Sequence, residues 1–138
     1  MPLASELLAG TGTRVCTVVG FPLCYSLTET KVEEARHLAS LGAVELDMVI
    51  NIAAVVEGED AFVLDDVTAV VTAVHDATGG RGLTKVILET GHLTPEQITH
   101  ASVLCADAGA DFVKTSTGFG QRGASVEDVA LMRAAVGP

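Results

Sequence analysis

Positive charge is scarce in this chain. Its 138 residues carry 8 lysines and arginines against 18 aspartates and glutamates, a net charge of −10. Such a surface repels polyanions, which argues against nucleic acid or anionic membrane as partners. Long apolar runs are missing too, none approaching the ~20 residues of a membrane span. The start, Met1-Pro2-Leu3-Ala4-Ser5-Glu6, lacks a charged leader, and a cytoplasmic chain is expected. Cys16, Cys24 and Cys105 form no C-x-x-C and are odd in number, which predicts neither a disulfide framework nor a zinc site. His37, His75, His92 and His100 show no ligand spacing, so no metal is expected. No strand-like run is followed by a P-loop, which weakens a nucleotide-binding reading.

What the chain does have is apolar substance. Hydrophobic residues make up 49% and mean hydropathy is +0.44, enough for one domain with strands buried on both faces. Four short β-branched runs, Arg14–Gly20, Val44–Ile50, Thr84–Glu89 and Asp111–Ser116, read as strands. Between them Val63, Val67, Val70, Val71 and Val74, then Ile98, Ala101, Cys105 and Ala108, repeat at helical spacing. Leu3–Ala9 reads as the end of an earlier helix. Ser26 with Glu29, Thr94 with Pro95 and Gln97, and Ser125 with Asp128 have the spacing of helix-capping boxes. Alternating strands and helices predict βαβ units and a parallel sheet.

An internal echo locates the chemistry. Gly42-Ala43-Val44-Glu45-Leu46-Asp47 and Gly109-Ala110-Asp111-Phe112-Val113-Lys114 place a charged residue at the same step. Side chains alternate along a strand, so Asp47 and Lys114 are expected on one face of the sheet. Lys85 is a third ionisable residue within an apolar strand. Lysine is costly to bury, and a desolvated amine near a second cation becomes a nucleophile toward aldehydes. Three such groups on neighbouring strands read as a site, although structural ion pairs produce the same pattern. Lys31, in a capped helix, is expected to be solvated. Gly118-Phe119-Gly120-Gln121-Arg122-Gly123 reads as a flexible loop.

Two α/β architectures fit, a doubly wound open sheet and a (β/α) barrel. Charged groups inside strands suit the barrel, whose active sites collect at the strand C-termini, yet a closed barrel typically takes ~250 residues. The chain offers four βα units, so an incomplete TIM-type barrel spanning residues 1–138 as a single partial domain is expected.

The sequence resembles the deoxyribose-phosphate aldolases, class I aldolases built on a TIM barrel. The blocks that carry the resemblance are Val15–Leu23, Glu45–Asn51, Lys85–Thr90 and Ala110–Phe119, in the family's order. It implies reversible Schiff-base cleavage of 2-deoxy-D-ribose 5-phosphate to D-glyceraldehyde 3-phosphate and acetaldehyde, without metal or organic cofactor. Lys114 matches the lysine that forms the Schiff base, and Asp47 the carboxylate that relays protons through a water. Lys85 matches a further lysine giving electrostatic support. Thr117 and Gly118 fall where the family's backbone helps hold the phosphate. The partners so implied are a small sugar phosphate and an aldehyde.

The chain departs from the family as well. A second active-site lysine and the phosphate loops of the last two strands have no counterpart within these 138 residues. Cys24 stands where the family commonly has glycine. Two readings follow: an aldolase of weak turnover, or a non-catalytic half-barrel that acts as a homo-oligomer or with a barrel-completing partner chain. Unpaired edges are expected at Arg14–Gly20 and Asp111–Ser116.

Overall fold

In the computed structural model, which describes residues 1–137, four parallel strands lie side by side in chain order. They are β1 (Cys16–Val19), β2 (Glu45–Val49), β3 (Leu83–Ile87) and β4 (Phe112–Lys114). Each expected strand is present, a residue or more shorter at its ends except at the start of β3, which begins one residue before the expected run. The helices are α1 (Pro2–Leu8), α2 (Thr28–Ser40), α3 (Ile52–Glu57), α4 (Asp60–Thr78), α5 (Pro95–Asp107) and α6 (Val126–Val136). Of these, α2, α4 and α5 pack against one face of the sheet, and the result is a (β/α) half-barrel.

Alternation along the strands decides which face is covered. Leu46, Met48 and Ile50 with Val86 and Leu88 point toward the helices and are fully buried. They join Val63, Val67, Val70 and Val74 of α4 and Ile98, Ala101 and Cys105 of α5 in one continuous core. Each such aliphatic side chain contributes about 1.5–3 kcal/mol by leaving water. The opposite face carries Glu45, Asp47, Val49, Lys85, Ile87, Phe112 and Lys114 and stays open to solvent at β4, where Phe112 is 55% exposed.

The sequence echo has a backbone cause. Gly42 and Gly109 both sit at positive φ, +101 and +85, just after α2 and α5. In each case the next N–H reaches back five residues, Ala43 to Leu38 and Ala110 to Cys105, ending the helix in a Schellman turn that launches a strand. The same turn therefore sets Asp47 and Lys114 at the same step of their strands.

Helix starts follow the expectation in two cases of three. Thr94 forms a reciprocal capping box with Gln97, and Ser125 Oγ accepts from Asp128 N–H. At α2 the cap position is Leu27, which makes no side-chain cap bond. Ser26 lies one residue too early, and the Thr28 hydroxyl goes to Asp66 instead (2.6 Å).

Lys31 overturns the expected solvation. It is completely buried and paired with Asp66 of α4, itself 1% exposed, with Cys24 Sγ 3.2 Å from its Nζ. The Gly20 backbone lies against its stem, where a Cβ would meet Lys31 Cδ at 3.1 Å. The ion pair ties α2 to α4, and a buried charge with such a partner no longer needs water. The glycine-rich segment after β4 is not a free loop either. Arg122 pairs with Asp128 and donates to the Thr90 carbonyl at 3.0 Å.

Candidate active site

Register brings the predicted residues together. Asp47 is opposite Lys85, which is opposite Phe112, and one pleat higher Val49, Ile87 and Lys114 align. Lys114 thus begins at the level of Val49 and Ile87 and reaches down to Asp47. Its Nζ donates to Asp47 Oδ2 at 2.7 Å. Lys85 Nζ lies 3.2 Å from Asp47 Oδ1 and 2.8 Å from Glu45 Oε2. Two carboxylates therefore face two ammonium groups, with Asp47 shared between both lysines.

Exposure differs sharply within the trio. The Asp47 side chain is 6% exposed, Lys85 22% and Lys114 46%. Lys114 is half-open and not buried as the apolar run around it suggests, because β4 has a single strand neighbour among the described residues. The more accessible of the two amines is thus hydrogen-bonded to the more buried of the two carboxylates.

Electrostatics follow from those contacts. Burial pushes the Asp47 carboxyl up, but hydrogen bonds from Lys114, Cys16 and Lys85 outweigh it and hold the group below the usual carboxylate range. The bond to Glu45 comes first in holding Lys85 above the ordinary lysine range, Asp47 adding to it against desolvation. Burial, then the bond to Asp47, pushes the Cys16 thiol up. Cys16 therefore stays a thiol at neutral pH, with its sulfur 3.3 Å from Asp47 Oδ1. No group of three His, Cys, Asp or Glu residues is arranged to hold a metal ion among the described residues.

Several residues of this face carry no sequence assignment. Glu45 and Cys16 are opposite one another in register and both touch the trio. The period-two pattern that singled out Asp47 also puts Glu45 on its face. Glu89, just past β3, accepts from Thr117 N–H at 3.1 Å and from the Thr117 hydroxyl. Thr117 and Gly118 occupy the turn after β4, as expected, with Gly118 at φ +87. Phe21, after β1, meets Phe119, after β4, edge to face with ring centroids 5.6 Å apart.

A parallel half-barrel thus brings a lysine and a carboxylate into contact on its open face. The family model described as DeoC/LacD family aldolase matches residues 4–137. This chain belongs to the DeoC/LacD aldolase family. The deoxyribose-phosphate aldolase of Bacillus subtilis (strain 168) is 54% identical over 136 residues, covering 99% of this chain and 59% of that protein. The Bacillus cytotoxicus deoxyribose-phosphate aldolase is 53% identical over the same length and coverage. Among solved structures, a candidate deoxyribose-phosphate aldolase from Coccidioides immitis superposes with a TM-score of 0.89 at 42% identity, covering 97% of this chain and 51% of that one. The chain thus spans about 59% of the length of these curated DeoC/LacD relatives. No helix among the described residues is long and apolar enough to cross a membrane.

Proposed function

We propose that this chain carries the Schiff-base half of a deoxyribose-phosphate aldolase site, with Lys114 as nucleophile, Asp47 as proton donor and acceptor, and Lys85 as electrostatic support. The observation behind it is the 2.7 Å contact between Lys114 Nζ and Asp47 Oδ2 on the open face of the sheet. The reaction is reversible cleavage of 2-deoxy-D-ribose 5-phosphate to D-glyceraldehyde 3-phosphate and acetaldehyde, with no cofactor.

Lys114 passes a proton toward Asp47, and its free amine adds to the substrate's aldehyde carbon. Asp47, through a water, protonates the carbinolamine hydroxyl, which leaves as water and gives the iminium. The iminium draws electrons from the bond between the second and third carbons. As that bond breaks, the carboxylate takes the proton of the third carbon's hydroxyl. The three-carbon aldehyde phosphate departs, the enamine is protonated, and water releases acetaldehyde from Lys114. Thr117 and Gly118 are assigned to the phosphate end. Gly118 has open space where a side chain would stand, which lets a phosphate approach the backbone.

The same reading takes residues 1–138 as one partial barrel domain acting in the cytoplasm, a setting in keeping with three free cysteines. Borohydride reduction in the presence of acetaldehyde, followed by peptide mass mapping, tests it. Lys114 is expected to carry the adduct, and labelling confined to another lysine would sink the assignment.

The open edges favour a second reading, in which a partner completes the barrel. Among the described residues β1 pairs only with β2 and β4 only with β3. Beside β4 lies a groove of about 650 Å³ walled by Phe112, Val113, Val129 and Met132, with Asp111, Thr115 and Arg133 also lining it. An edge strand beside a partly apolar groove is a ready seat for another βα unit. A deoxyribose-phosphate aldolase of Aeropyrum pernix, 28% identical with a TM-score of 0.85, is tetrameric. A homo-oligomer or a barrel-completing chain is the corresponding proposal here.

A further inference from the structure

Glu89 has no part in the chemistry proposed above, yet its setting is unusual. The side chain is 2% exposed, and its backbone stands at φ +52, a left-handed conformation uncommon for a long side chain. Strain of that kind persists only where the surroundings enforce it. Carboxylate oxygen Oε2 accepts both the N–H and the hydroxyl of Thr117, charge-assisted bonds stronger than neutral ones. Oxygen Oε1 is buried without a hydrogen-bond partner. Gly120 lies against it, since a Cβ there would meet Oε1 at 3.0 Å. A buried group left half-satisfied calls for a reason beyond packing.

From Thr117 the contacts run on toward the mouth of the site. Thr117 Oγ1 accepts from Phe119 N–H at 3.1 Å, and the Phe119 ring rests on Phe21. Phe21 in turn packs on Cys24, Val49 and Ile87, and Ile87 is the register partner of Lys114. The two rings follow the two outermost strands, whose backbones in a flat sheet would lie about 14 Å apart, three spacings of ~4.8 Å. They meet because the sheet is concave and both loops lean over its inner face.

We infer that Glu89 is a positioning residue, fixing Thr117 and through it seating Phe119 on Phe21, so that an aromatic clasp over the concave face selects against aldehydes with a bulky apolar end at Lys114. The inference rests on the aldehyde chemistry proposed for Lys114 and adds the feature being read, the size of the aldehyde's apolar end. A two-carbon aldehyde, or one whose far end is polar and stays in water, passes the rings, and one with a bulky apolar end must part them.

Hydrogen exchange and borohydride labelling on the same proteins test the two halves separately. In Thr117→Val the Phe119 amide is expected to exchange about tenfold faster than in the parent chain, and Thr117→Ser to restore the parent rate. In Glu89→Gln the Thr117 amide is expected to exchange faster. The parent is expected to label Lys114 with acetaldehyde at least about tenfold faster than with 3-phenylpropanal, the ratio falling toward one in Phe119→Ala and Thr117→Val and persisting in Thr117→Ser. Phe119 is 74% exposed, so its truncation leaves the core intact. Unchanged exchange in Thr117→Val, or an unchanged aldehyde ratio in Phe119→Ala, overturns the clasp, and a ratio that stays put while exchange rises leaves Glu89 with a merely structural role and overturns the selection. A parent chain in which no aldehyde labels Lys114, although Thr117→Val exchanges faster, overturns the proposed chemistry and the selection with it.

Discussion

Asp47 is the residue on which the other charges of the concave face converge. It receives Lys114, Lys85 and the Cys16 thiol, so removing its charge separates adduct formation from turnover. Asp47→Asn is expected to retain some borohydride-trapped adduct at Lys114 while cleavage falls by about 10²–10³-fold, the usual cost of losing a general acid–base group. Equal losses in trapping and cleavage would tie both steps to the same proton. The shifts also set a pH window. Asp47 is held below its ordinary value of 3.8, so its contribution to stability is complete above that value and is lost as pH falls through the lowered one. Lys85 is held above its ordinary value of 10.5, so its contribution is complete below that value and is lost as pH rises through the raised one. Thermal denaturation of the parent against Asp47→Asn is expected to converge at strongly acid pH and to differ at neutral pH. The trio was legible in sequence because alternation along one strand decides facing. The same alternation puts Glu45 and Glu89 on that face, but their partners, like the approach of Cys16, depend on register between strands and on the turn after β4, which no single run encodes.

At the scale of elements, α2 shows what local patterning leaves out. Its sequence is polar enough to look solvated, but Lys31 turns inward because Asp66, on α4 and 35 residues away, supplies its counter-charge. Breaking that pair is costly and replacing it is not. Lys31→Met leaves Asp66 buried with only the Thr28 hydroxyl and is expected to destabilise by about 3–5 kcal/mol, whereas Lys31→Met combined with Asp66→Leu is expected to recover most of the loss. A urea-melt double-mutant cycle measures it, and additive losses would show that packing, not charge, holds α2 to α4. The Thr94 box is a simpler case, legible because every participant lies within four residues. Thr94→Ala is expected to cost about 1 kcal/mol in the same melts.

The whole molecule is decided by its edges. The count of four βα units was readable from strand spacing, and the open sides at β1 and β4 followed from it. The groove beside β4 was not readable, since α6 and α5 must pack before it exists. Parallel edges unpaired among the described residues, with a partly apolar groove beside one of them, are expected to drive association. Light scattering after size exclusion is expected to find a mass above that of the 14.2 kDa chain, and a cooperatively melting monomer at micromolar concentration would show that the edges are tolerated. Cleavage by these residues alone is expected to trail the Bacillus subtilis relative by at least about 10²-fold. Addition of a chain carrying that relative's unmatched portion is expected to raise it.

Strand order that repeats chain order has a consequence for how the molecule comes into being. Each strand docks only on the one made before it, so the sheet can grow in step with synthesis, without waiting for a distant partner. Asp47 meets Lys85 when β3 docks, and a further stretch of chain, ending 67 residues after Asp47, must be made before Lys114 arrives. The carboxylate is therefore neutralised and held in place early, and the reactive amine is the last of the trio to be delivered. A nascent chain stopped before β4 would carry a finished anion-holding floor and no nucleophile.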